Sequence, residues 1–88
     1  MEFRWNDWNI EHLATHGILP AEAESAIRTA RRPFPRKADG DKWLVWGRGE
    51  GGRFLQVVYV VDPDETFCVI HARPLNDAEK RRLRRKRR

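Results

Sequence analysis

Apolar positions at three- and four-residue spacing mark the first third of this chain, and short apolar runs bounded by turn residues mark the rest. The first spacing is that of a helix face and the second that of strands. Phe3-Arg4-Trp5 alternates and predicts a short opening strand. Asn6 or Asp7 can cap a helix to about Thr15, with Ile10, Leu13 and Ala14 expected to face inward. Gly17 suits a left-handed cap after it. Pro20 suits a first helical position, and Ala23, Ala26, Ile27 and Ala30 form the apolar stripe of a second helix. Pro33 and Pro35 exclude helix beyond that point. Strands are predicted at Trp43 to Gly47, Phe54 to Val61 and Phe67 to Arg73, with Gly49-Glu50-Gly51-Gly52 as a hairpin loop. The middle run is apolar on both faces except at Gln56, which places it centrally in a sheet. Trp43 and Trp46 fall on opposite faces of their strand. Asn76-Asp77-Ala78-Glu79 has the spacing of a capping box and opens a last helix. The order β-α-α-β-β-β-α predicts an α+β domain: a curved antiparallel meander, two N-terminal helices packed on one face, and a basic C-terminal helix.

Charge changes this picture at one end. Of 18 Lys and Arg residues, eight lie in residues 80–88 with no acidic residue among them. The other ten face 13 Asp and Glu, so the body of the chain carries a net −3 while the whole is +5. Residues 1–79 thus read as one domain and 80–88 as a basic helix or tail, a block that attracts polyanions. With 88 residues the core is thin, and four Trp and four Phe compensate by burying large areas each. The single Cys68 excludes an internal disulfide and, between Phe67 and Val69, reads as a small core residue. No apolar run approaches the ~20 residues that span a membrane. Met1-Glu2-Phe3 lacks the basic and apolar regions of a signal peptide, so the expected location is the cytoplasm.

Six motifs follow one another along the chain: Phe3-Arg4-Trp5, Leu13-Ala14-Thr15-His16-Gly17-Ile18, Glu22-Ala23, the stretch from Asp41-Lys42 to Gly47, Ile70-His71-Ala72-Arg73, and Glu79-Lys80-Arg81-Arg82. Together they resemble the BrnT family, toxins of type II toxin–antitoxin pairs with a RelE-like fold. The resemblance spans nearly the whole chain. Departures fall at His12, Thr15, His71 and Leu83, where the family usually has Asn, Lys, Ser and Tyr.

The resemblance implies an endoribonuclease that uses no metal or other cofactor and cuts RNA, free or on the ribosome, to slow translation. In such a reaction the ribose 2′-hydroxyl attacks the adjacent phosphate. A base must take the hydroxyl proton, cations must stabilise the phosphorane, and an acid must protonate the leaving oxygen. The candidate catalytic residues are Arg73, His71 and His16. Arg73 matches the family's Ala-Arg position, and its fork suits phosphate oxygens. Strand alternation puts His71 on the same face, where an imidazole near its ordinary pKa can move a proton. His16 matches the His before Gly and equally suits a helix C-terminus. His12 and His16 have i, i+4 spacing, but the sequence offers no third metal ligand beside them. Lys42, Arg53, Lys80, Arg81, Arg82, Arg84 and Arg85 are the candidate RNA-binding cations, with a salt-sensitive contribution. The implied partner is a BrnA-like ribbon-helix-helix antitoxin, which alone would touch DNA. Two alternatives remain: a non-catalytic RNA- or protein-binding module on the same fold, and an interaction protein whose basic tail docks on ribosomes or nucleic acid.

Overall fold

Local chemistry fixes the ends of most elements in the computed structural model, which describes residues 1–86. Strand β1 (Phe3–Arg4) leads into helix α1 (Asp7–Ala14). Asn6 caps α1: its Oδ1 accepts from the Asn9 backbone N–H at 3.0 Å, while Asn9 Oδ1 accepts from the Asn6 N–H at 2.8 Å. This reciprocal cap turns Asn9 inward. The buried residues of α1 are Asn9 and Leu13, whereas Ile10 and Ala14 of the expected face are exposed. Asn9 is tolerated inside because its amide also donates to the Arg4 carbonyl at 2.9 Å, and it contacts buried Cys68 Sγ at 4.0 Å. The helix ends in a Schellman turn, with Gly17 at φ 68° and the Ile18 N–H donating to the Leu13 carbonyl at 3.1 Å.

Helix α2 (Pro20–Thr29) starts on its proline and buries Ala23, Ala26 and Ile27 of the expected stripe, while Ala30 is its half-buried C-cap. Strands β2 (Arg36–Lys37), β3 (Trp43–Arg48), β4 (Phe54–Val61) and β5 (Phe67–Pro74) follow, then helix α3 (Asp77–Lys86). Asn76 and Glu79 form the expected capping box, each side chain accepting the other's backbone N–H at 2.9 Å.

The five strands form one mixed sheet in the order β1-β5-β4-β3-β2, so the structure is α+β with β4 central, as its apolar run suggested. Strands β3, β4 and β5 are the expected antiparallel meander. The sheet is not antiparallel throughout, however. Strand β1 pairs with β5 in parallel, with Phe3 opposite Phe67 and the Phe67 N–H donating to the Glu2 carbonyl at 2.8 Å. The α1–α2 segment carries the chain across one face before the meander begins, which leaves the outer edge of β5 free for β1. Strand β2, two charged residues paired antiparallel with β3, was not expected, since two residues show no periodicity. Arg36 and Lys37 suit an edge that must not pair further.

Two apolar clusters flank the sheet. On one face, α1 and α2 cover Val45, Leu55, Val57, Tyr59, Val69 and Ala72, with Trp43 packed at the margin. On the other, Phe34, Trp46, Leu75 and Leu83 cluster beneath α3. Trp43 and Trp46 thus serve opposite faces, as the alternation required. No helix among the described residues is long and apolar enough to cross a membrane.

Helix α2 sits directly on β3 at Gly47, where a Cβ would overlap the Ala26 carbonyl oxygen and lie 2.9 Å from the Ala26 carbonyl carbon. Only a residue without a side chain allows this approach. Gly47→Ala is expected to destabilise the domain by about 3 kcal/mol, because helix and strand must separate. Urea denaturation measures this, and a loss below about 0.5 kcal/mol would show that the helix shifts freely.

Candidate functional site

Three imidazoles meet where the end of α1 crosses β5. A bulge in β5 positions the first. Val58 of β4 pairs with His71 and Tyr59 with Val69, so Ile70 is the extra residue. The His71 ring lies 5.6 Å from that of His16 in a T-shaped contact, and 6.4 Å from that of His12. His12 stacks in turn on exposed Trp8, with centroids 5.2 Å apart and planes 5° from parallel. The Schellman turn at Gly17 sets where His16 stands, so a sequence feature that ends the helix also places a titratable ring.

His71 is half-buried, and this burial pushes its pKa below the ordinary value of 6.5. The positive charge of His16, Arg73 and His12, in that order, adds to the effect. Among the described residues, no carboxylate forms an ion pair with any of the three rings, and they are not arranged to hold a metal ion. The cluster therefore favours a neutral His71, able to accept a proton at neutral pH.

Arg73 is on the same side of β5 as His71, since Arg73 pairs with Gln56 and His71 with Val58, two residues along. Its guanidinium turns to α3. Nη1 donates to Glu79 Oε1 at 2.8 Å and to the Pro74 carbonyl at 3.1 Å. Nη2 donates to Glu79 Oε2 at 2.7 Å and to Gln56 Oε1 at 3.2 Å. All four terminal N–H groups are thus engaged. Gln56 Oε1 also accepts from Trp46 Nε1 at 3.1 Å. Glu79 is buried, and the Arg73 hydrogen bonds, working against burial, hold its carboxyl at about 2 instead of 4.5. Sequence reasoning gave Glu79 a capping role. The same carboxylate makes both interactions, because its two oxygens reach the cap and the fork together.

The remaining candidates are dispersed. Arg53 clamps the β3–β4 loop to α2, donating from Nε to Glu22 Oε2 at 2.8 Å and from Nη2 to the Gly17 carbonyl at 2.6 Å. Lys42 is exposed in the turn before β3. On α3, Lys80 lies 3.9 Å from Asp77, Arg82 stacks 5.2 Å from the centroid of the Trp46 ring, and Arg81, Arg84 and Arg85 are exposed. Arg87 and Arg88 of the basic run lie outside the described residues. His12, Trp8 and Gln56 join the site without having been singled out as site residues. Only the i, i+4 spacing of His12 and His16 and the lone polar place of Gln56 in β4 hinted at them.

Two measurements test these electrostatics. Glu79 titrates near 4.5 when unfolded and about 2 when folded. Its ion pair therefore contributes fully above pH 4.5, and the contribution, on the order of 3 kcal/mol, disappears as pH falls toward 2. Urea denaturation at stepped pH should show wild type losing stability through that window, and Glu79→Gln losing much less. For His71, an NMR titration of the ring proton should give a midpoint below 6.5. His16→Ala should raise it only in part, because burial remains.

The chain matches no protein-family model, no curated protein and no solved structure.

Proposed function

We propose that this domain is an endoribonuclease toxin of the BrnT kind, on a RelE-like fold, that cuts RNA without a metal and slows translation. The observation that carries the reading is the contact of half-buried His71 with exposed His16, free of any carboxylate partner among the described residues. His71, held toward its neutral form, takes the proton of the ribose 2′-hydroxyl as that oxygen attacks the adjacent phosphorus. His16 gives a proton to the 5′-oxygen that leaves, so the products are a cyclic phosphate and a free hydroxyl. Exposed Trp8, beside His12, offers a face on which a base can stack. The exposed arginines of α3 supply positive potential for the phosphorane. Arg73 reaches a phosphate only by exchanging the Glu79 carboxylate for it. The sequence resemblance adds a BrnA-like ribbon-helix-helix antitoxin as the neutralising partner, contact with DNA through that partner alone, and a cytoplasmic location.

One observation favours a second reading, a non-catalytic RNA- or protein-binding module. With every terminal donor of Arg73 engaged, no guanidinium points into the histidine cluster from β5.

Induced expression of wild type beside His71→Ala/His16→Ala separates the two. Arg73 is left intact, because its loss strands buried Glu79. Growth arrest with new RNA 5′ ends in wild type alone is the expected result. Equal expression with neither arrest nor new ends in wild type would remove the ribonuclease reading and leave the binding module. With purified protein, the cleavage rate should fall on acidification with a midpoint below 6.5, as His71 takes up a proton.

A further inference from the structure

Seven arginines of this protein fall into two sets. Arg4, Arg28, Arg53 and Arg73 are each paired with a carboxylate, from Asp62, Glu24, Glu22 and Glu79 respectively. Arg36, Arg48 and Arg82 are not: among the described residues, none of them forms an ion pair. Each of these three lies over an aromatic ring, as carboxylate-paired Arg28 also does over Phe3. The guanidinium carbon of Arg36 is 5.5 Å from the Phe34 centroid, that of Arg48 is 5.7 Å from Phe54, and that of Arg82 is 5.2 Å from Trp46.

These three rings belong to one apolar cluster, the one beneath α3. Phe34 and Trp46 are 5.6 Å apart, and Phe54 packs against the same group. Cations from an edge strand, a central hairpin and the last helix are thus gathered over one patch, though they are far apart in sequence. Stacking on a ring holds a guanidinium in place and occupies its face, while donors around its rim stay available; of those on Arg48, Nε donates to the Gly52 carbonyl at 3.1 Å. Three such cations, none of them in an ion pair among the described residues, make a site of positive potential, although Arg82 also acts on the Glu79 carboxylate.

The patch also has a direction. Trp46, Gln56 and Arg73 stand in register across β3, β4 and β5, joined through Gln56 Oε1. At about 5 Å per strand step, this row carries the surface about 10 Å, to within two residues of His71.

We propose that Arg36, Arg48 and Arg82 form a binding site for the phosphate backbone of single-stranded RNA, which the Trp46–Gln56–Arg73 row leads toward the histidines. The direction of the strand rests on the ribonuclease reading; the phosphate site itself does not. An acidic protein partner fits less well. Its affinity would depend on apolar anchors, and here the cations already cover the rings. Guanidinium forks match phosphate oxygens without such anchors.

The test is fluorescence anisotropy of a short labelled single-stranded RNA, titrated with protein between about 50 and 200 mM salt. Wild type is compared with R36Q/R48Q and with a charge-matched control, R4Q/R28Q, whose arginines are carboxylate-paired near the opposite edge of the sheet. The expected result is a loss of about tenfold or more in affinity for R36Q/R48Q, with the salt slope falling by about 1.4. The control should change affinity by less than about threefold. If circular dichroism shows R36Q/R48Q unfolded, R36Q alone carries the test, on a two-residue edge strand, with a slope change of about 0.7. Affinity and slope equal to wild type in the folded variant would overturn the proposal. So would binding of poly-glutamate as tight as that of RNA, which would make the patch a protein-docking surface. Binding that depends on these arginines but brings no cleavage leaves this site standing and removes the ribonuclease reading. Cleavage with binding unaltered in R36Q/R48Q does the reverse.

Discussion

The ion pair of Arg73 and Glu79 decides where the last helix lies, and much else follows from that helix. A carboxylate on α3 and a guanidinium on β5 meet in a geometry that satisfies both. Neither can be removed singly without leaving its partner poorly solvated. Around this pair, Leu75 and Leu83 pack on Phe34 and Trp46, and the Asn76 capping box starts the helix on the same carboxylate. The placement brings Arg82 over Trp46 and leaves Arg81, Arg84 and Arg85 toward solvent. A helix this basic has little reason of its own to lie against a protein. Two leucines and one buried acid hold it there.

The opposite face works by closeness of backbone rather than by charge. Ala23 and Ala26 on α2, with Gly47 on β3, let helix and strand touch without intervening side chains. With α2 fixed, Arg53 can reach both Glu22 and the Gly17 carbonyl, bracing the turn that carries His16. The histidine cluster therefore depends on a helix–sheet contact that includes no histidine. Two helices from opposite ends of the chain meet β5 here: His71 touches His16 at the end of α1, and Arg73 pairs with Glu79 of α3.

Much of the fold was legible in the sequence. Pro20 and the alanine stripe marked α2, the glycine loop and apolar runs marked the meander, and Asn76 with Glu79 marked the start of α3. Each of these signals is local, carried by residues within a turn or two of one another. The site was legible only in part. Alternation put His71 and Arg73 on one side of β5, and the His-Gly pair marked the end of α1. That His16 and His71 touch, and that Arg73 turns to Glu79 and away from the histidines, depends on elements distant in sequence from β5.

The sequence by itself determined the kind and order of every element but β2, the capping box of α3, and that Trp43 and Trp46 serve opposite faces, because short-range periodicity and hydrogen bonding are written in neighbouring residues. Only the tertiary structure decided that β1 runs parallel to β5, that Asn9 and not Ile10 is buried, that Arg53 is a brace, and that Arg36, Arg48 and Arg82 share one aromatic cluster. Those outcomes depend on which distant groups compete for the same partner. A carboxylate satisfies one guanidinium at a time, and a sheet edge accepts one strand. The winner is set by the positions that the packed core allows.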